Sequence, residues 1–324
     1  MKKLILCLSM TLIVLSCGNK SQNKGQSQDE AQVQTQSEAV VHEPVEEIVS
    51  TFNYVPPVPQ DGKLKGVVEM GAAGFNFFII NIDKEKNWKL EKAKFGESGV
   101  YDNIASETDV LNKLKAFIKD MVDFGVRGTN IHFVVSSGAA KEEAVVTITA
   151  ALKKIGYIVN TVSPEQEGTY ALRSVLPKQY EKNGFVVDMG SSNTKISWLD
   201  NGKTNALETL GSRYKSREIA DSDAFQTAAG IAKQIPENHR EICFIIGGVP
   251  YAMANSHRKE IEGVKERYTV LKSEKGYTSE KFQDDRSIGG LNIYKAIRET
   301  TGCKMFVFDF DANFTIGFLL TIPY

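Results

Sequence analysis

The chain has 324 residues, a formal net charge of −1, 24% charged and 42% hydrophobic residues. That composition belongs to a globular protein with enough chain for one large core or two moderate ones. Neutrality excludes the basic surplus of a nucleic-acid binder, and four cysteines exclude a disulfide scaffold.

Lys2 and Lys3 precede an apolar run from Leu4 to Leu15, followed by Ser16-Cys17-Gly18. A basic start, a short apolar stretch and a small-residue cleavage site describe an export signal over residues 1–17, too short to remain as a membrane span. Val14-Leu15-Ser16-Cys17 resembles a bacterial lipobox, in which the cysteine becomes the acylated N-terminus. Several acyl chains of the palmitate type on Cys17 would anchor the protein stably in the lipid bilayer. The expected location is the cell envelope, at the outer rather than the inner membrane. Residues 18–62 are rich in Gln, Ser and Glu, with hardly any apolar periodicity before Ile48, so they read as a disordered tether.

The folded part is expected as two lobes, 63–180 and 181–324, with the last helix free to cross back to the first. The apolar strand ending Val67-Val68-Glu69-Met70-Gly71 turns through Ala72-Ala73-Gly74 into a second strand, Phe75 to Ile82, and a third ends near Gly96. Phe185-Val186-Val187-Asp188-Met189-Gly190 turns through Ser191-Ser192-Asn193 into Thr194 to Leu199, and a third strand ends near Gly211. Ile131 to Val135 before Ser136-Ser137-Gly138 matches Ile242 to Ile246 before Gly247-Gly248. Ile158 to Val162, with a helix from Glu165, matches Met305 to Phe310, with a helical segment after Asp311. Asp109 to Phe124, Glu142 to Ile155 and Ile288 to Thr301 carry apolar residues at helical spacing. Three strands, helix, strand, helix, strand, helix, performed twice, is a duplicated α/β unit with mixed sheets flanked by helices.

An acid beside a tight glycine turn has a chemical use. Such turns aim backbone N–H groups at phosphate oxygens, and the carboxylate can hold Mg²⁺ through water. Two of them facing each other would clamp a phosphate chain in a cleft between the lobes.

Together these hairpins resemble the phosphate loops of the actin-like ATPase superfamily, built from two ribonuclease-H-like lobes. Within it the pattern resembles the exopolyphosphatase/guanosine pentaphosphate phosphatase (Ppx/GppA) family. The matching segments are Phe95-Gly96-Glu97-Ser98-Gly99, Val162-Ser163-Pro164-Glu165-Gln166-Glu167-Gly168, Asp188-Met189-Gly190-Ser191-Ser192-Asn193-Thr194, Ile288-Gly289-Gly290-Leu291 and Phe308-Asp309. The resemblance implies removal of terminal phosphate from polyphosphate or a phosphorylated nucleotide, with Mg²⁺ as cofactor. It implies Glu167, with Glu165 as second choice, as the group that activates water, and Asp188 and Glu69 as the metal carboxylates. It implies Gly71, Ala72, Gly190, Ser191, Ser192, Asn193 and Thr194 as phosphate-binding, joined by Lys195 and Lys141 as candidate anion contacts.

Several positions depart from the family pattern. Glu69 stands in place of Asp, Ala72-Ala73-Gly74 lack the usual hydroxyl and amide, and Ser191 and Ser192 replace glycines. Lys195 stands where the family carries an acid, and Ala140, beside Lys141, where it carries an arginine. Two readings follow: a phosphohydrolase of the cell envelope, or a degenerate member that binds an anion or serves as a scaffold subunit of an envelope complex. Other chemistries find no motif. The four histidines are scattered, no P-loop or G-x-S-x-G elbow is present, and Cys243 and Cys303 read as buried thiols for which export leaves a disulfide open.

Overall fold

The computed structural model describes residues 52–71, 74–96 and 107–324; the leader with Cys17, most of the tether, Ala72 and Glu97-Ser98-Gly99 lie outside them. Strands β1 (Lys63–Met70), β2 (Phe75–Ile82) and β3 (Trp88–Gly96) form an antiparallel meander. They are followed by α1 (Glu107–Asp123), β4 (Ile131–Val135), α2 (Glu143–Lys154), β5 (Val159–Thr161) and α3 (Pro164–Val175). The order then repeats with β6 (Gly184–Met189), β7 (Asn193–Asp200), β8 (Lys203–Leu210), α4 (Asp221–Ala232), β9 (Ile242–Gly247) and α5 (Gly248–Asn255). An insertion carries the short strands β10 (Glu260–Ile261), β11 (Val264–Lys265) and β12 (Tyr268–Val270), and α6 (Asp285–Thr301), β13 (Met305–Asp309) and α7 (Phe314–Thr321) close the chain.

The two sheets run β3-β2-β1-β4-β5 and β12-β13-β9-β6-β7-β8. Their shared five-strand order is the duplication seen in the sequence: two mixed sheets flanked by helices. Strand β12 is an addition at the second sheet's edge, antiparallel to β13, and three residues are too few for a readable period.

Continuous apolar runs in the central strands reflect burial of both sheet faces. Val68 enters an outer core under α1 and α2, whereas its neighbour Val67 enters a central core. Cys243 and Ile245 of β9 likewise enter an outer core with α4 and α6, while Phe244 and Ile246 enter the central one. Helices α3 and α7 lie in that central core, contributing Leu172, Val175, Ile316 and Leu319 between residues of both sheets. Helix α7, apolar all round, packs on α3, β1 and β2. The Lys65 ammonium, buried beside it, donates to the Pro323 carbonyl at 2.8 Å.

Two aromatic residues from the stretch read as tether are packed. Phe52 stands edge-on to Phe244 and Tyr268, with ring centres at 5.5 and 5.2 Å, and Tyr54 meets Tyr268 at 5.8 Å. The polar composition of residues 18–47 masked two half-buried rings that pack against the central core. Cys243 and Cys303 are buried free thiols.

Candidate functional site

The hairpin turns of both lobes open onto one cleft of about 590 Å³. Register explains which side chains reach it. In the first hairpin Glu69 is paired with Asn76, and in the second Asp188 is paired with Lys195. These are equivalent positions in the duplicated unit, and all four residues line the cleft.

The fifth contributor is Glu167, from α3. Ser163 caps this helix through a reciprocal pair of bonds with Gln166, and Pro164 occupies its first turn, so the segment starts where the sequence places it. Gly168 then lets the helix approach the second sheet. A Cβ at this position would sit 3.0 Å from the Ala206 Cβ and 3.5 Å from the Lys195 Cβ. The close approach delivers the Glu167 carboxylate onto the Lys195 ammonium in a buried ion pair.

Both oxygens of Glu167 are engaged. Oε1 accepts from Lys195, while Oε2 accepts from the Ser137 backbone N–H at 2.8 Å and from its hydroxyl at 2.6 Å. Lys195 also donates to Asn193 Oδ1 at 2.9 Å, and the Asn193 amide donates to Ser137 Oγ at 3.0 Å and to Glu208 at 2.8 Å. Ser137 and Asn193 belong to opposite lobes, so this network stitches the cleft floor across the divide.

The two remaining acids differ. Glu69 Oε2 accepts from Asn76 at 3.0 Å and from Asn313 at 3.1 Å. Asp188 is 7% exposed, and its enclosed Oδ2 has no hydrogen-bond partner among the described residues. Burial pushes the Asp188 carboxyl up to about 7; the Lys195 charge opposes this, and Glu167 and Glu69 reinforce it. Burial also raises Glu69, against the stabilising amide of Asn76. For Lys195, burial alone would lower the pKa, but the charges of Glu167 and Asp188 outweigh it and hold the ammonium above its usual value.

The sign of the Asp188 shift gives a pH prediction. With a folded pKa above the ordinary carboxylate value, its contribution is fully favourable below about pH 4 and is lost as pH rises through 7. Asp188→Asn is therefore expected to leave the melting temperature unchanged near pH 4 and to raise it by about 3 °C or more near pH 8. Thermal unfolding across that range checks it, and a gain that is flat with pH contradicts the shift.

Of the residues singled out in the sequence, Glu69, Gly71, Glu167, Asp188, Gly190, Ser191, Ser192, Asn193 and Lys195 line the cleft. Glu165 does not: it is exposed in the first turn of α3, because residues two apart on a helix point to different faces. Lys141 is exposed ahead of α2 and lies outside the lining, and Thr194 is fully buried on the other face of β7 from Lys195. Ser137, Asn76, Asn313 and the aromatic wall of Phe95, Tyr251, Phe308 and Phe310 were not anticipated. Aligning the two hairpins would have found Asn76 as the counterpart of Lys195.

Asp188 and Glu69 are the residues that would have to hold the implied Mg²⁺. The orphaned Asp188 oxygen is the one feature that suits a cation. The rest of the donor set does not fit: Glu69 is already held by two amides, and the Lys195 ammonium stands among the carboxylates as their positive charge. Among the described residues, no group of three or more His, Cys, Asp or Glu is arranged to hold a metal ion. Mg²⁺ demands near-octahedral oxygen coordination, which one free carboxylate beside an ammonium does not provide.

No protein-family model matches the chain, and no curated protein sequence is similar enough to match. Solved structures do match. The Ppx/GppA family member of Aquifex aeolicus covers 80% of this chain and 97% of its own, with a TM-score of 0.58 at 14% identity. An exopolyphosphatase from Cytophaga hutchinsonii covers 80% and 97%, with a TM-score of 0.60 at 13% identity. An exopolyphosphatase-like protein covers 80% and 98%, with a TM-score of 0.56 at 12% identity. At such identities the likeness is one of backbone architecture: the chain carries the duplicated two-sheet fold of the Ppx/GppA exopolyphosphatases.

Proposed function

We propose that this protein is a hydrolytically silent, ligand-binding relative of the exopolyphosphatases. One observation carries the reading: the carboxylate that would activate water has no free oxygen. A general base must reach the proton it removes, directly or through one water. Glu167 is enclosed, with one oxygen on the Lys195 ammonium and the other on two donors from Ser137. Freeing it would strand a buried ammonium, which costs several kcal/mol. Catalysis of phosphoryl transfer rests on positioning and charge stabilisation, and here the buried ammonium of the cleft is spent on a protein carboxylate. The fold supports a descent from phosphohydrolases; the charge pair supports loss of turnover. The lipobox-like Cys17 supports an envelope location, with the protein tethered to the bilayer through residues 18–51.

Phosphate release from long-chain polyphosphate and guanosine pentaphosphate, with Mg²⁺ or Mn²⁺, tests this. The expected rate equals that of the buffer blank. Metal-dependent release that Glu167→Gln abolishes would overturn the reading and restore a phosphohydrolase of the cell envelope.

A further inference from the structure

The reading above leaves open what the cleft holds, and its charge argues against the ligand that the fold suggests. Four acids line it, Glu69, Glu167, Asp188 and Asp309, against two basic side chains, Lys195 and Arg286. Lys195 is paired with Glu167, and Asp309 is held by Arg267 from outside the cleft through two bonds of 2.9 Å. Among the described residues, neither Glu69 nor Asp188 lies in a salt bridge. A polyanion brought here would meet more carboxylate than cation, with Arg286 the remaining basic side chain of the lining.

A second observation points to the opposite charge. Asp188 is more than nine-tenths buried, lines the cavity and keeps an oxygen without a hydrogen-bond partner among the described residues. An orphaned buried carboxylate oxygen is costly unless a donor or a cation meets it. The cavity wall supplies the rest of the specification. Phe95 from the first lobe is 63% exposed and Tyr251 from the second is 44% exposed, with ring centres 6.3 Å apart. Tyr251 continues into Phe308 and Phe310 at 6.1 and 5.8 Å. Aromatic faces attract organic cations, and exposed rings inside a pocket are apolar contact area waiting for a ligand. A volume of about 590 Å³ is that of a small-molecule site.

We propose that the cleft binds a small organic ammonium ion, its charged nitrogen on Asp188 and its apolar or aromatic body against Phe95 and Tyr251. A hydrated metal ion would use the carboxylate but waste the rings; a phosphate would use neither. This proposal rests on the reading of the cleft as silent and names its ligand class.

Calorimetric titration of the full chain tests it with four probes: 2-phenylethylammonium chloride, the neutral isostere 2-phenylethanol, pyrophosphate and MgCl₂. The ammonium is expected to bind at least about tenfold more tightly than the alcohol, since a charge-assisted hydrogen bond separates them. Asp188→Asn should bring the two within about threefold, and Tyr251→Ala should weaken both together. Equal binding of ammonium and alcohol to the unsubstituted protein overturns the proposal, as does preference for pyrophosphate or Mg²⁺, and neither comparison needs a variant that folds. Pyrophosphate bound without phosphate release sinks the ammonium ligand alone. Phosphate release from polyphosphate sinks the silent-cleft reading beneath it.

Discussion

Lys195→Met is expected to lower unfolding free energy by about 3–5 kcal/mol, the cost of leaving a buried carboxylate without its counter-ion. The ammonium is 2% exposed and its partner Glu167 equally enclosed, so water cannot step in for the lost charge. Ser137 still donates twice to Glu167, but to one oxygen only. The double variant Lys195→Met with Glu167→Gln removes both charges and keeps the Ser137 acceptor. It should recover to within about 1 kcal/mol of the parent, because replacing a buried pair by neutral groups of similar volume is often close to neutral. Urea unfolding of the four proteins gives the coupling energy directly. A single variant that loses less than about 1 kcal/mol would mean that the pair is not formed in solution.

Gly317→Ala is the second large effect, and its origin is steric. Helix α7 crosses α3 so closely that a Cβ on Gly317 would lie 1.8 Å from the Tyr170 carbonyl oxygen and 2.5 Å from its carbon. Backbone cannot rotate aside as a side chain would, so the helices must separate and open the central core. The expected loss is about 3 kcal/mol or more, at the upper end for overpacking. Gly230→Ala makes the control. It sits exposed in the last turn of α4 with nothing within 4 Å of its added Cβ, and should gain about 0.5 kcal/mol. Chemical denaturation of both variants measures the contrast in sign; two equal losses would rule out the close crossing.

The duplicated fold was legible because each half advertises itself with the same local chemistry. Glu69-Met70-Gly71 and Asp188-Met189-Gly190 each end an apolar strand at a glycine turn, and periodicity marked α1, α2 and α6 within a few residues. Strands too short for a period, β10 to β12, left no trace. Neither did the packing of Phe52, which ends a long polar stretch and stands on no readable period. The candidate site was half legible. Lys195 was conspicuous as a cation where an acid belongs, and Glu167 as an acid at a helix start. That the two meet is a property of the close approach at Gly168, which brings together residues 28 positions apart on different elements. Their pairing changes the meaning of both, and no residue pattern along the chain carries it.

The central core also bears on how anything gets in and out of the cleft. Domain closure about a hinge needs a thin waist between the moving bodies, and the described residues show none. Helices α3 and α7 fill the space between the sheets, and the Ser137–Asn193 bond ties the floor beneath the ligand space. Swinging the lobes apart would strip apolar surface from both helices at once. The rings at the rim, Phe95 at 63% and Tyr251 at 44% exposed, can instead turn about two side-chain bonds. Side-chain rotation takes picoseconds to nanoseconds, where hinge motions take microseconds to milliseconds. Exchange of a small molecule would then need only these two side chains to turn, with no separation of the lobes.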